Sequence, residues 1–148
     1  MIVRRAVMED VDSIVEMSRA FYATTSYAGF TPMSDESAGL LAEMLIETGV
    51  MLVAEKDGAV VGMVGLIVAP FMFNAAVLTA HEIVWYVRPE EVGKGAGAAL
   101  LAAIEPACRE RGVVAIQMVH LSTSPPQAAA LYERMGYRYT ESSYTKEL

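Results

Sequence analysis

The stretch "VRPEEVGKGAGAALLAAIE", residues 87–105, decides how the rest of the chain is read. Gly93, Gly95 and Gly97 fall within five residues, between an apolar run ending at Val87 and a helix-like run from Ala98. One glycine would close a turn. A glycine-rich turn between a strand and a helix leaves several main-chain N–H groups unobstructed, and with the helix N-terminus they form a nest for an anion. The first expectation is a phosphate-bearing ligand. Two common phosphate loops do not fit. A dinucleotide-binding G-x-G-x-x-G follows the first strand of a βαβ unit, whereas the spacing here is G-x-G-x-G after three strands that read as antiparallel. In a P-loop the lysine precedes Ser or Thr, and Lys94 precedes Gly95.

Upstream of the turn, "HEIVWYV" (81–87) reads as a strand, and "MLVAEKDGAVVGMVGLIV" (51–68) as a hairpin turning on Asp57-Gly58, with its second strand ending near Pro70. Pro70–Thr79 reads as a long apolar loop. Residues 2–7 form a first strand, and a helix from about Asp10 to Ala23 puts Val11, Ile14, Val15, Ser18, Phe21 and Tyr22 on one face. A second helix starts from Ser34 or Asp35 as N-cap and ends at Gly49. Downstream, a helix from about Gly97 to Arg111 contains Pro106, which removes a hydrogen bond to the Ala102 carbonyl and is expected to bend it. "VVAIQMVHL" (113–121) reads as a buried strand. Ser124 reads as the N-cap of a last helix running to Met135, and "YRYTESSYTKEL" as one or two terminal strands.

The chain has 148 residues, a net charge of −7, one cysteine and two histidines. That length fits a single domain, 1–148, with a core that needs no disulfide. Cys108, His81 and His120 cannot assemble a cysteine/histidine zinc site, so no metal is expected. The charge argues against nucleic-acid binding. The run Gly58–Ala80 has no charged residue over 23 positions, but Gly62, Gly65, Pro70 and Asn74 interrupt it, so no membrane span is expected. Glu9, Asp10 and Asp12 stand where a signal peptide would be apolar, and a reducing, cytoplasmic setting is the expectation.

Two motifs give a family resemblance over nearly the whole chain. "IVWYVRPEEVGKGAGAALL" is similar to the strand, Pro and Q/R-x-x-G-x-G/A turn of the GNAT superfamily of acyl-CoA-dependent N-acyltransferases, and "AALYERMGY" (129–137) resembles its A-x-x-L-Y-x-x-x-G-F/Y helix. Val92 departs from the family's usual Gln or Arg, and Pro125 from an Asn that helps to hold the cofactor. The resemblance implies an α/β (α+β) fold with a mixed, mostly antiparallel sheet of six or seven strands flanked by about four helices. It implies acetyl-CoA as cosubstrate, bound by Trp85, Tyr86, Val87, Val92, Gly93, Lys94, Gly95, Ala96, Gly97 and Ala98. Arg88 is a further candidate for the phosphates. An N–H near Tyr86 or Val87, at a bulge where two parallel strands splay, is the implied oxyanion donor.

Tyr132 matches the family tyrosine near the thioester sulfur and is the candidate acid; packing in an amphipathic helix is the alternative. Glu82, a carboxylate in an apolar strand whose pKa desolvation would raise, and His120, a residue able to act near neutral pH, compete as base with a water relay. His81 falls on the other strand face. Cys108, mid-helix, reads as a packed small hydrophobe. The acceptor is expected to be an amine-bearing small molecule or peptide, met by Phe21, Tyr22, Tyr27 and Phe30. The apolar "PFMF" at 70–73 suits either a homodimer contact or core packing. A non-catalytic CoA-binding or regulatory module with the same fold is the competing class.

Overall fold

Alternation along "VMLVAEK" decides where the core lies. In strand β2 (Val50–Lys56), Val50, Leu52 and Ala54 join one apolar cluster while Met51 and Val53 join another on the opposite face. Both faces of the sheet must therefore be covered, and helices cover them. The computed structural model of the chain describes residues 1–148. Strand β1 (Ile2–Arg5) is followed by helices α1 (Val11–Thr24) and α2 (Asp35–Glu47), then β2, β3 (Ala59–Phe71) and β4 (Asn74–Val87). Helix α3 (Ala96–Glu110), strand β5 (Val113–Gln117) and helix α4 (Pro126–Arg134) complete the order.

The sheet runs β1-β2-β3-β4-β5, antiparallel except for the parallel pair β4–β5. Ile14 and Met17 of α1 and Ala42 and Leu45 of α2 pack on one face. Leu100, Leu101, Ile104 and Cys108 of α3 pack on the other, with Tyr132 of α4.

The structure departs from the sequence reading at several points, and β5 stops at Gln117, short of residue 121. Residues 70–79 are not a loop: β3 and β4 continue as a long hairpin whose turn is Met72-Phe73, so the charge-free run 58–80 forms paired strands. Main-chain pairing accommodates Pro70 because it lies near the hairpin end. The sheet has five strands, not six or seven. Residues 138–148 form no strand and are exposed, because Thr140, Glu141, Ser142, Ser143 and Thr145 offer no apolar face to bury. Ser124 does not cap α4; its Oγ accepts from Leu121 N at 2.9 Å, inside the preceding turn, and Pro125 takes the capping position. Gly49 ends α2 without a left-handed φ; a Cβ there would lie 2.5 Å from the Leu66 carbonyl oxygen, so glycine is needed for close approach.

Other readings hold. Asp57 (φ 52°) and Gly58 (φ 80°) form the two-residue hairpin turn, and Ser34 Oγ accepts from Ser37 N at 3.1 Å. Helix α3 continues through Pro106, whose exposed face also carries Ala102, so water can reach the carbonyl that loses its partner. At the hairpin tip Met72 and Phe73 are 82% and 84% exposed, so the tip does not pack into the core. No helix is long and apolar enough to cross a membrane.

Candidate active site

The site begins with a change of register in β4. Gly65 of β3 lies opposite Val84 but Leu66 lies opposite Glu82, so Ile83 is an extra residue, a β-bulge. Alternation is reset there. Ile83 and Val84 both pack on the α1/α2 side, while Trp85 and Val87 turn to the α3 side. The implied bulge thus exists, but at Ile83 rather than at Tyr86 or Val87. Just beyond it the parallel strands part: the last β4–β5 pair is His81 with Gln117, whereas β3 continues to pair with β4 as far as Val87. From Glu82 to Val87 one edge of β4 has no neighbouring strand.

That gap opens into a cleft of about 900 Å³. Glu82 is 7% exposed and accepts a hydrogen bond from Val119 N at 3.0 Å. Burial pushes its carboxyl up to about 7, against the opposing pull of the Val119 N–H. Tyr132, 8% exposed, donates its hydroxyl to Val119 O at 2.9 Å. Its phenol is also raised, by burial first and then by the neighbouring Glu82 charge and Tyr137, which keeps it protonated. One residue, Val119, therefore holds both groups through its main chain. Its side chain gives no sequence signal for this role.

At the other end, Gly93 (φ 81°) and Gly95 (φ 97°) adopt left-handed backbone, which releases the chain into α3 at Ala96. The N–H groups of Gly93, Gly95, Ala96, Gly97 and Ala98 find no acceptor in the protein. Gly97 serves differently: it has no left-handed φ, and a Cβ there would lie 3.4 Å from Trp85 Cζ2. Trp85 stacks on Tyr132 at a 5.5 Å centroid distance, and its buried indole N–H has no partner. Such an orphan donor in a cleft-lining residue is unusual in a protein interior.

Several sequence candidates lie elsewhere. His120 is exposed, donates from Nε2 to Pro125 O at 3.3 Å and does not line the cleft. Lys94 also lies outside the lining, with its ammonium 3.4 Å from Glu91, which in turn holds Lys56 at 3.0 Å. Arg88 is bound to Glu16 and to Val60 O. Phe21 and Tyr27 line the cleft, but Tyr22 donates to Tyr27 O and Thr31 O, and Phe30 only stacks on Tyr27. His81 is exposed and pairs with Thr79 Oγ1. Cys108 is buried, its thiol pushed up to about 11 by burial, which removes it as a nucleophile. The sequence reading missed Thr24, Ile83, Val119, Leu121 and Arg134 as cleft residues. Ile83, which opens "IVWYVRPEEVGKGAGAALL", and Arg134, inside "LYERMGY", fall within the two motifs; the other three have none to flag them.

The model of the acetyltransferase (GNAT) family matches residues 13–137, from within α1 through the bulged strand and the glycine turn to the end of α4. The chain belongs to the GNAT acetyltransferase family. Solved structures share its fold. An integron cassette protein from the mobile metagenome of Cole Harbour Salt Marsh is 24% identical, over 99% of this chain and 89% of that one, with a TM-score of 0.75. A Trypanosoma brucei acetyltransferase is 23% identical over 99% of each chain, TM-score 0.72. A ribosomal-protein-alanine N-acetyltransferase from Brucella melitensis biovar Abortus 2308 is 19% identical over all of both chains, TM-score 0.72. No curated protein matches this GNAT chain in sequence at a significant level. The parted strands, the glycine turn and α4 of this GNAT domain frame one cleft, and the two family motifs meet in it.

Proposed function

We propose that the protein is an N-acetyltransferase that moves an acetyl group from acetyl-CoA directly to a primary amine, both bound together in the cleft. The observation that carries this reading is Glu82: a buried carboxyl poised near neutral pH at the point where β4 and β5 part, sharing Val119 with Tyr132. The residues present suit the cosubstrate. Five unengaged N–H groups at the glycine turn and the α3 N-terminus suit its pyrophosphate. The open edge of β4 suits an extended chain bearing amides, and the orphan Trp85 N–H offers one more donor. Pro125 adds no side-chain donor, so apart from the Trp85 indole the hold on the cosubstrate rests on main chain.

When bound, acetyl-CoA supplies an activated thioester carbonyl. Glu82 takes the proton that the amine must lose, and Val119 N–H keeps its carboxylate aimed. For an α-amine of pKa about 8 this transfer is uphill by only about one unit, against about three for a lysine-like amine. The main-chain N–H groups of Trp85 and Val87, which alternate away from β3 while Arg88 N bonds Val61 O, lie on the open edge of β4 and face the negative charge that develops in the cleft; Tyr86 N–H points to β3 instead. Tyr132, held protonated, leaves Val119 O to donate to the departing sulfur. Glu82 is favoured over His120 as base because only Glu82 lines the cleft.

Thiol release from acetyl-CoA across an amine panel tests the proposal. Glu82→Gln should lower kcat/KM by about a hundredfold or more, and Tyr132→Phe should lower kcat, while calorimetric affinity for acetyl-CoA stays close to wild type. His120→Ala should turn over normally. Unchanged turnover in both Glu82→Gln and Tyr132→Phe would sink these roles, and loss in His120→Ala alone would move the base to His120.

A further inference from the structure

The cleft opens to both faces of the sheet, and its two walls differ in chemistry. On the α3/α4 side lie the glycine turn, Trp85 and Tyr132. On the α1 side lie Phe21, Thr24, Tyr27, Ile83 and Tyr86. This second wall carries rings, aliphatic groups and hydroxyls but no carboxylate. Across the whole cleft Glu82 is the only acidic lining residue and Arg134 the only basic one. The net charge of −7 is therefore carried elsewhere.

A substrate with several ammonium groups needs a counter-charge for each one it buries, and here Glu82 is already committed to the reacting amine. Aromatic rings could hold a second cation only by their faces. Those faces are in part taken: Phe21 and Tyr86 pack edge-to-face at 6.4 Å and 67°, as do Tyr27 and Phe30 at 5.6 Å and 67°. Thr24 Oγ1 donates to Phe21 O at 2.7 Å, so toward a cation it presents a neutral oxygen and no counter-charge. Resting on the acetyltransferase reading above, we infer that the acceptor is a monoamine with an apolar or aromatic body, and that polyamines and aminoglycoside-like polycations are excluded.

Hexylamine and 1,6-diaminohexane differ only in the second ammonium, so they isolate this point, with 2-phenylethylamine as the aromatic probe. The kcat/KM for hexylamine and 2-phenylethylamine should exceed that for the diamine by about tenfold or more. Tyr27→Asp, at an exposed rim position, should move that ratio toward the diamine. Equal turnover of the two six-carbon amines, or preference for the diamine, would overturn the inference and leave the acetyltransferase reading standing. Absence of transfer to every amine would overturn that reading; calorimetric binding of the same pair to the CoA-loaded protein would then still decide the monoamine preference, tighter hexylamine supporting it and tighter diamine refuting it.

Discussion

Glu82 carries a cost that its chemistry explains. An ordinary glutamate titrates near 4.5, and burial raises Glu82 to about 7. Between these values the unfolded chain releases a proton that the folded chain keeps, so this residue's contribution to stability declines as pH rises from about 4.5 to about 7 and is constant above. Glu82→Gln removes the penalty while retaining an acceptor for Val119 N–H. It should stabilise the protein by about 3 kcal/mol at pH 8 and by little at pH 4.5, read from urea denaturation at both pH values. In the proposed mechanism the deprotonated form is the active one, so kcat/KM for the amine should climb through pH 7, below the amine's own titration. A flat stability difference across pH would show that Glu82 is not buried as described. Sequence had marked Glu82 as an odd carboxylate in an apolar strand, and Tyr132 by its motif. It left Glu82 and His120 level, because nothing local tells that one turns into a cleft and the other to solvent.

Elements set the glycine-turn end of the cleft. The three glycines of the turn are equivalent as letters, yet Gly93 and Gly95 supply left-handed backbone whereas Gly97 is helical and has room for a Cβ beside Trp85. Gly95→Ala has open space for its methyl group but must hold φ near 97°, a strain of about 1 kcal/mol or more that distorts the nest. It should weaken acetyl-CoA binding measurably by calorimetry. Gly97→Ala brings its Cβ to 3.4 Å from the indole, ordinary contact, and should bind far better than Gly95→Ala. Val92→Gln, at an exposed position that offers no side chain to the nest in the native protein, should change affinity least. Equal losses at Gly95 and Gly97 would refute the distinction.

At the scale of the whole molecule, the cleft contains the single tryptophan of the chain, stacked on Tyr132 and against Gly97. Filling the cleft changes the surroundings of its orphan N–H, so titration with CoA should shift Trp85 emission, and Gly95→Ala should need more CoA to reach the same shift. Emission blind to CoA would place the ligand elsewhere. By itself the sequence determined the order of strands and helices as far as α4, the hairpin turn at Asp57-Gly58, the glycine turn before α3 and the helix that carries Tyr132. Each follows from periodicity or from a turn residue's backbone preference, which are properties of neighbours in the chain. Only the tertiary structure decided the bulge at Ile83, the parting of β4 from β5 and the uncharged wall on the α1 side of the cleft. These depend on register and on contacts such as Val119 to Glu82, 37 positions apart, where pairing between distant strands rather than local preference sets the geometry.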